Sequence, residues 1–157
     1  MKNDFQVKAI SGGEFDRLFN LDKSGLEEMG GIHMTADKKP GFPCRVSLED
    51  VEAGEEVILL PYQHHKTNSP YQASGPIFVR KNARASSLAV NELPLFLNHR
   101  LLSVRGYDKE GIMLVADVTK GDLLREELDK MLQHPDISYL HIHNAKQGCF
   151  LCVVERV

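Results

Sequence analysis

Two alternating segments joined by a short turn near the C-terminal end constrain the fold of this chain most strongly. Residues 139–143 read Tyr-Leu-His-Ile-His, and a second apolar-rich segment covers residues 149–156. Because side chains alternate along a strand, Leu140 and Ile142 share one face, and the tyrosine and both histidines share the other. The five residues between the segments begin with Asn and end with Gly, which both favour turns. The pattern predicts a β-hairpin with its aliphatic face toward a core.

Further strands outnumber the helices in the rest of the chain. Short apolar segments predict strands at residues 32–36, 55–62, 76–80, 101–107 and 112–118. A short helix is expected over residues 15–21, and a longer one after Thr119, which with Asp122 resembles a capping box. The longer helix has an apolar stripe of Leu124, Leu128, Met131 and Leu132. The helices do not alternate with the strands one for one, which favours an α+β fold: a largely antiparallel or mixed sheet with two or three helices packed on it.

Length and composition favour a globular chain and exclude several functional classes. The 157 residues are 42% hydrophobic and 26% charged, which suits one domain spanning residues 1–157. The net charge is −3, whereas proteins that bind nucleic acid or anionic membranes usually have a basic excess. Residues 1–13 lack the apolar segment of a secretory signal, and the three cysteines favour free thiols in a reducing compartment. We therefore expect a cytoplasmic protein that binds neither nucleic acid nor membrane; the sequence leaves its oligomeric state open.

The length of the hairpin turn decides which cysteine lies beside the histidines. A five-residue turn would pair His143 with Cys149. A four-residue turn would pair His143 with Gly148 and would place Cys152 on the histidine face, opposite Tyr139. In both cases the two cysteines lie on opposite faces of the strand, because they are three residues apart. The Cys-x-x-Cys segment therefore does not predict a zinc ribbon, and it does not begin a helix as a thioredoxin-type redox pair does.

The histidine face of the hairpin is a candidate metal site. His141 and His143 could supply two nitrogen ligands to a divalent transition metal. A carboxylate, Cys44, or one residue of the pair His64 and His65 would complete the set. Since adjacent residues of an extended segment point in opposite directions, we expect at most one of that pair to face inward.

Two other kinds of site are compatible with the same residues. Cys149 beside His143 could act as a nucleophile, with Asn144 as an orienting group. Alternatively, the hairpin could contribute to a site for a small molecule. The side chains available for it are His141, His143, Asn144, His64, Cys44 and Arg45. A third alternative is a non-catalytic interaction or scaffold domain in which these residues are structural.

Several segments are similar to a known family. They are Pro-Cys-Arg-Val-Ser-Leu at 43–48, Gly-Glu-Glu-Val-Ile-Leu-Leu-Pro-Tyr at 54–62, Gly-Pro-Ile-Phe-Val-Arg at 75–80, and His-Ile-His-Asn-Ala at 141–145 followed by Gly-Cys-Phe at 148–150. Together they resemble the family named domain of unknown function 1203, from about Leu18 to the end of the chain. The resemblance implies an intracellular, single-domain protein of unknown activity, and it supplies no catalytic residues.

Overall fold

Ten strands form two five-stranded sheets in the computed structural model, which describes residues 3–157. The strands are β1 (Phe5–Lys8), β2 (Ile32–Thr35), β3 (Pro43–Cys44), β4 (Glu49–Asp50), β5 (Glu56–His65), β6 (Ala73–Arg80), β7 (Leu101–Tyr107), β8 (Met113–Lys120), β9 (Tyr139–Asn144) and β10 (Phe150–Arg156). The α-helices are α1 (Lys23–Glu28) and α2 (Leu124–Leu132). Short 3₁₀ helices cover Asp16–Asn20, Leu95–Leu97 and Gly121–Leu123.

The two sheets differ in topology. The first has the strand order β1-β10-β9-β7-β8, and all its pairs are antiparallel. The second has the order β2-β5-β6-β3-β4, and its β3–β6 pair is parallel. The α+β class with antiparallel and mixed pairing is therefore confirmed, although the strands form two sheets where one was expected.

Helix α2 covers one face of the first sheet. Its stripe Leu124, Leu128, Met131 and Leu132 is buried as predicted, in the same core as Leu140 and Ile142. The predicted capping box is wrong, because Thr119 lies within β8 and a 3₁₀ turn precedes the helix without a side-chain cap. Within residues 3–157, no helix has both the length and the apolar character needed to cross a bilayer.

The second sheet has a separate core beneath the N-terminal part of the chain. Val57, Ile58 and Leu60 of β5 are buried there together with Phe15 and Leu18. The expected helix at residues 15–21 is a 3₁₀ helix, Asp16–Asn20, followed by α1. Strand β5 is longer than predicted. It ends at His65, three residues beyond the predicted end at Tyr62.

The C-terminal hairpin has a register that differs from both predicted ones. Phe150 lies opposite His143 and Val153 opposite His141, with an irregularity between Phe150 and Cys152 that is typical of a β-bulge. The turn contains Cys149, whose carbonyl accepts a hydrogen bond from the Asn144 amide at 2.8 Å. The extra residue of the bulge is Leu151, and because of it both Leu151 and Cys152 enter the core of the first sheet.

Candidate functional site

Four histidines from the two sheets meet on the face of the first sheet opposite α2. His141 and His143 come from β9, and His64 and His65 from the end of β5. The His64 ring centre lies 5.0 Å from that of His143 and 6.1 Å from that of His141. The His141 and His143 ring centres are 6.2 Å apart, and His65 lies 4.9 Å from His141.

Both neighbouring histidines of β5 face the hairpin, so the expectation that at most one would do so is wrong. The pairing of β5 with β6 shifts between Tyr62 and His65, which interrupts the strict alternation of side chains at this point. His65 is 3% exposed and His64 is half-buried. A break in strand pairing leaves no signal in residue spacing, which is why the sequence did not reveal it.

Hydrogen bonds divide the histidines into two groups. Both ring nitrogens of His65 are engaged, Nδ1 with the Tyr71 carbonyl at 2.7 Å and Nε2 with the Tyr139 hydroxyl at 2.5 Å. His143 donates from Nδ1 to the Gly148 carbonyl at 2.9 Å, which leaves its Nε2 as a lone-pair nitrogen. That Nε2 is buried and has no partner. The same is true of Nδ1 of His64 and Nδ1 of His141.

Burial keeps three of these imidazoles uncharged at neutral pH. Desolvation is the main cause that lowers the pKa of His141 to about 2, of His143 to about 3 and of His64 to about 4. The guanidinium of Arg105 lowers all three pKa values further. Neutral imidazole is the form that donates a lone pair to a metal or accepts a hydrogen bond.

Aromatic side chains surround the cluster. Phe150 stacks on His64 with ring centres 5.3 Å apart and an interplanar angle of 14°. Tyr107 lies 5.2 Å from His141 and stacks on Tyr139. Three of the residues named above, His64, His65 and His141, also line a cavity of about 640 Å³. The cluster is therefore reachable from outside the protein.

Cys149 lies at the turn of the same hairpin but has different neighbours from those predicted. Its Sγ accepts hydrogen bonds from Nη2 of Arg45 at 3.1 Å and from Nδ2 of Asn144 at 3.2 Å. His143, the predicted partner of the thiol, instead uses its Nδ1 on the Gly148 carbonyl. Asn144 therefore holds the thiol and does not orient the imidazole.

Arg45 is buried to 1% exposure beside this thiol. Its remaining donors contact the Phe150 carbonyl at 2.7 Å and the Pro43 carbonyl at 2.5 Å. No carboxylate of residues 3–157 forms a salt bridge with it. Burial lowers the pKa of Arg45, and Cys149 opposes that effect.

The other two cysteines lie in hydrophobic cores. Cys44 is fully buried in the second sheet, where its Sγ accepts from the amides of Ser47 and Arg80. Cys152 is fully buried in the core of the first sheet, and burial raises its pKa to about 12. Cys149 lies in the turn outside β10, and a bulge separates it from Cys152, so strand alternation does not decide their placement as predicted. The two thiols have different neighbours and do not form a two-thiol site.

No group of three or more His, Cys, Asp and Glu side chains is close enough to hold a metal ion in the described part of the chain. The imidazoles are the nearest approach to such a set. Around a tetrahedral ion bound by nitrogens at about 2.0–2.1 Å, ring centres lie about 5 Å apart. The His64–His143 separation meets that value, and the two separations that involve His141 exceed it by about 1 Å.

The sequence matches a family described as protein of unknown function (DUF1203), over residues 41–156. The chain belongs to this family. The matched region extends from β3 to β10 and includes all the histidines of the cluster, Arg45, Asn144 and Cys149. No curated protein and no solved structure gives a significant match.

Proposed function

We propose that this member of the DUF1203 family binds a divalent transition metal ion through His64, His141 and His143. The observation that carries the proposal is the set of three ring nitrogens without a hydrogen-bond partner. A buried polar atom without a partner costs roughly 1–3 kcal/mol, so three in one cluster favour a ligand that satisfies them together. Imidazole nitrogens suit zinc, copper, iron and nickel.

The hydrogen bonds around the cluster support this assignment. In metal sites, the second ring nitrogen of a histidine ligand usually donates to a carbonyl or carboxylate, which fixes the tautomer. His143 makes this contact with Gly148, and His65 has no nitrogen left to bind an ion. His65 would instead keep Tyr139 beside the ligands. An inward movement of His141 by about 1 Å would bring the three ring centres to the separation that a tetrahedral ion requires.

Metal binding to untagged protein tests the proposal. Isothermal titration with Zn²⁺ and absorption spectra with Co²⁺ are expected to give one ion per chain and the visible bands of tetrahedral cobalt. His143→Gln and His141→Gln should each weaken binding by about 100-fold or more, because each removes a ligand. His134→Gln is the matched control, since it removes an exposed histidine beyond the end of α2.

Two results would contradict the metal assignment. One is the absence of saturable uptake of Zn²⁺, Co²⁺ and Ni²⁺ by protein that gives a native circular dichroism spectrum. The other is equal affinity in His143→Gln and His134→Gln, which would assign the bound ion to the surface.

A second candidate function is thiol chemistry at Cys149. The observation in its favour is that two N–H donors, from Arg45 and Asn144, point at one sulfur. A thiol donates one hydrogen bond, whereas a thiolate accepts several and would neutralise the buried guanidinium of Arg45. The thiolate would attack an electrophilic carbon of a substrate and displace its leaving group.

Alkylation by iodoacetamide, followed residue by residue with mass spectrometry, tests this second candidate. Cys149 is expected to react at pH 6.5 at nearly its rate at pH 8.5, with loss of iodide, while the fully buried Cys44 and Cys152 stay unmodified. Asn144→Ala should lower the rate at pH 6.5. A rate that rises tenfold per pH unit across this range would identify an ordinary thiol and end the thiolate hypothesis.

A further inference from the structure

A second cavity, of about 650 Å³, is lined in part by Asn144, whose Nδ2 donates to the Cys149 sulfur. It is lined by lysines from three separate parts of the chain: Lys38 before β3, Lys120 at the end of β8 and Lys146 in the hairpin turn. Its volume falls within the range of roughly 300–1,000 Å³ that small-molecule sites usually have.

The positive charge of this cavity is not neutralised by the protein. Lys38, Lys120 and Lys146 form no salt bridge within the described residues, where the paired lysines are Lys23, Lys39, Lys81 and Lys130. Asp122 is the one acidic residue among those lining the cavity. The whole chain has a net charge of −3, so this concentration of cations does not reflect a generally basic surface.

The cavity lining also carries polar groups other than lysine, and one of them is held by an ion pair. Arg100 lies in its wall, where the Asp50 carboxylate holds it through two hydrogen bonds of 3.0 and 2.5 Å. Asn144 is 8% exposed. Asn98 and Gln147 add amide groups to the rim. The Asn144 amide and an immobilised guanidinium can orient an anion that flexible lysines attract.

We infer that this cavity binds a small phosphorylated molecule, whose phosphate groups contact Lys38, Lys120 and Lys146. Lysine ammonium groups bind phosphate as compact point charges, and three of them suit the two charges of a phosphate monoester or the three of an organic diphosphate. The site is separate from the histidine cluster, because the cavity lining includes none of the four histidines of that cluster. Binding here therefore does not depend on a metal ion.

Titration with inorganic pyrophosphate at low ionic strength tests the inference. Calorimetry should show one saturable site per chain, and Lys120→Gln and Lys146→Gln should each weaken binding about tenfold. Lys146→Arg should retain most of the affinity. Lys8→Gln is the control, because it removes one exposed lysine from β1, outside the cavity.

The same experiment contains the outcomes that would overturn the inference. One is the absence of saturable pyrophosphate binding to the wild-type chain. Another is an equal loss of pyrophosphate affinity in Lys8→Gln and Lys146→Gln, which would show that binding depends on net charge and not on this cavity. All the exchanged lysines are exposed, and far-ultraviolet circular dichroism of each variant verifies that it is folded.

Discussion

Two arginine side chains lose most of their contact with water in this fold, and their charges are compensated differently. Arg100 forms a two-pronged ion pair with Asp50, and the two side chains are 10% and 6% exposed. Arg45 has two carbonyls and the Cys149 sulfur as its partners. A buried guanidinium stays ionised, so its surroundings must supply the negative charge or dipoles that replace water. This requirement makes the atoms around each arginine sensitive to substitution.

Replacement of Asp50 by asparagine should destabilise the protein strongly. Asp50→Asn leaves the buried Arg100 without a carboxylate, and we expect the free energy of unfolding to fall by about 3 kcal/mol. Urea unfolding followed by circular dichroism measures this change. The neighbouring Glu49→Gln removes an exposed carboxylate and should change stability by about 0.5 kcal/mol or less. Equal effects of the two substitutions would disprove the importance of the buried pair.

At the residue scale, the sequence predicted groups that depend on strand alternation and missed those that depend on tertiary contacts. His141 and His143 share one face as expected, with ring centres 6.2 Å apart. The contact between Arg45 and Cys149 joins residues 104 positions apart, and no periodic pattern indicates it. Phe150, which stacks on His64, was missed as a component of the site because His64 belongs to the other sheet.

At the scale of elements, apolar patterns predicted seven of the ten strands and helix α2, but they missed the short strands β1, β3 and β4 and left strand ends and pairings less predictable. The hairpin of β7 and β8 has Gly111 in the left-handed region at φ 80°. In contrast, the irregular pairing of β5 and of β10 adds a residue to one strand, and the hydrogen bonds that define such an irregularity form only in the assembled sheet.

The junction between β8 and α2 has no space for a side chain at Gly121. A Cβ atom there would lie 1.7 Å from the Leu97 carbonyl oxygen. The Gly121 amide also donates to the Arg100 carbonyl at 2.8 Å, which limits how far the backbone can move. Gly121→Ala should therefore lower the free energy of unfolding by about 3 kcal/mol, because backbone atoms must separate to accept the methyl group.

Differential scanning calorimetry of Gly121→Ala and Gly13→Ala gives a direct comparison. A loss of about 3 kcal/mol corresponds to a fall in Tm of roughly 6–12 °C for a chain of this size. A Cβ at Gly13 meets no atom within 4 Å, so Gly13→Ala should leave Tm almost unchanged. If Gly121→Ala and Gly13→Ala have the same Tm, the backbone at the β8–α2 junction moves more easily than the contact with the Leu97 carbonyl indicates.

At the scale of the whole molecule, the histidine cluster joins the two sheets. Each sheet has its own hydrophobic core, and these cores lie on different sides of the cluster. His64 and His65 from the second sheet contact His141 of the first, and Arg45 bonds the Phe150 carbonyl. The two sheets therefore meet through neutral imidazoles, aromatic rings and one buried cation, so their association should depend on pH more than either core does.

We expect the metal-free protein to lose stability steeply between pH 6.5 and 5. The folded pKa values of His141 and His143, about 2 and 3, are below the value of about 6.5 for an unfolded chain. In that pH range the unfolded chain takes up protons that the folded protein excludes. Since the unfolded state binds more protons, stability rises with pH, and it falls as pH is lowered. At pH 5 each histidine should cost roughly 2 kcal/mol relative to pH 7.5.

Urea unfolding in the presence of a chelator, at several pH values from 7.5 to 5.0, measures this dependence. His141→Gln should reduce the slope of unfolding free energy against pH by about one proton, because the variant lacks one group that the fold keeps neutral. His134→Gln, at an exposed position after α2, is the matched control and should keep the wild-type slope. The half-buried His64, whose pKa is also lowered, adds a smaller contribution since water partly screens it. A wild-type stability that is flat across this range would show that water or a counter-ion enters the cluster and that the two sheets do not exclude protons from it.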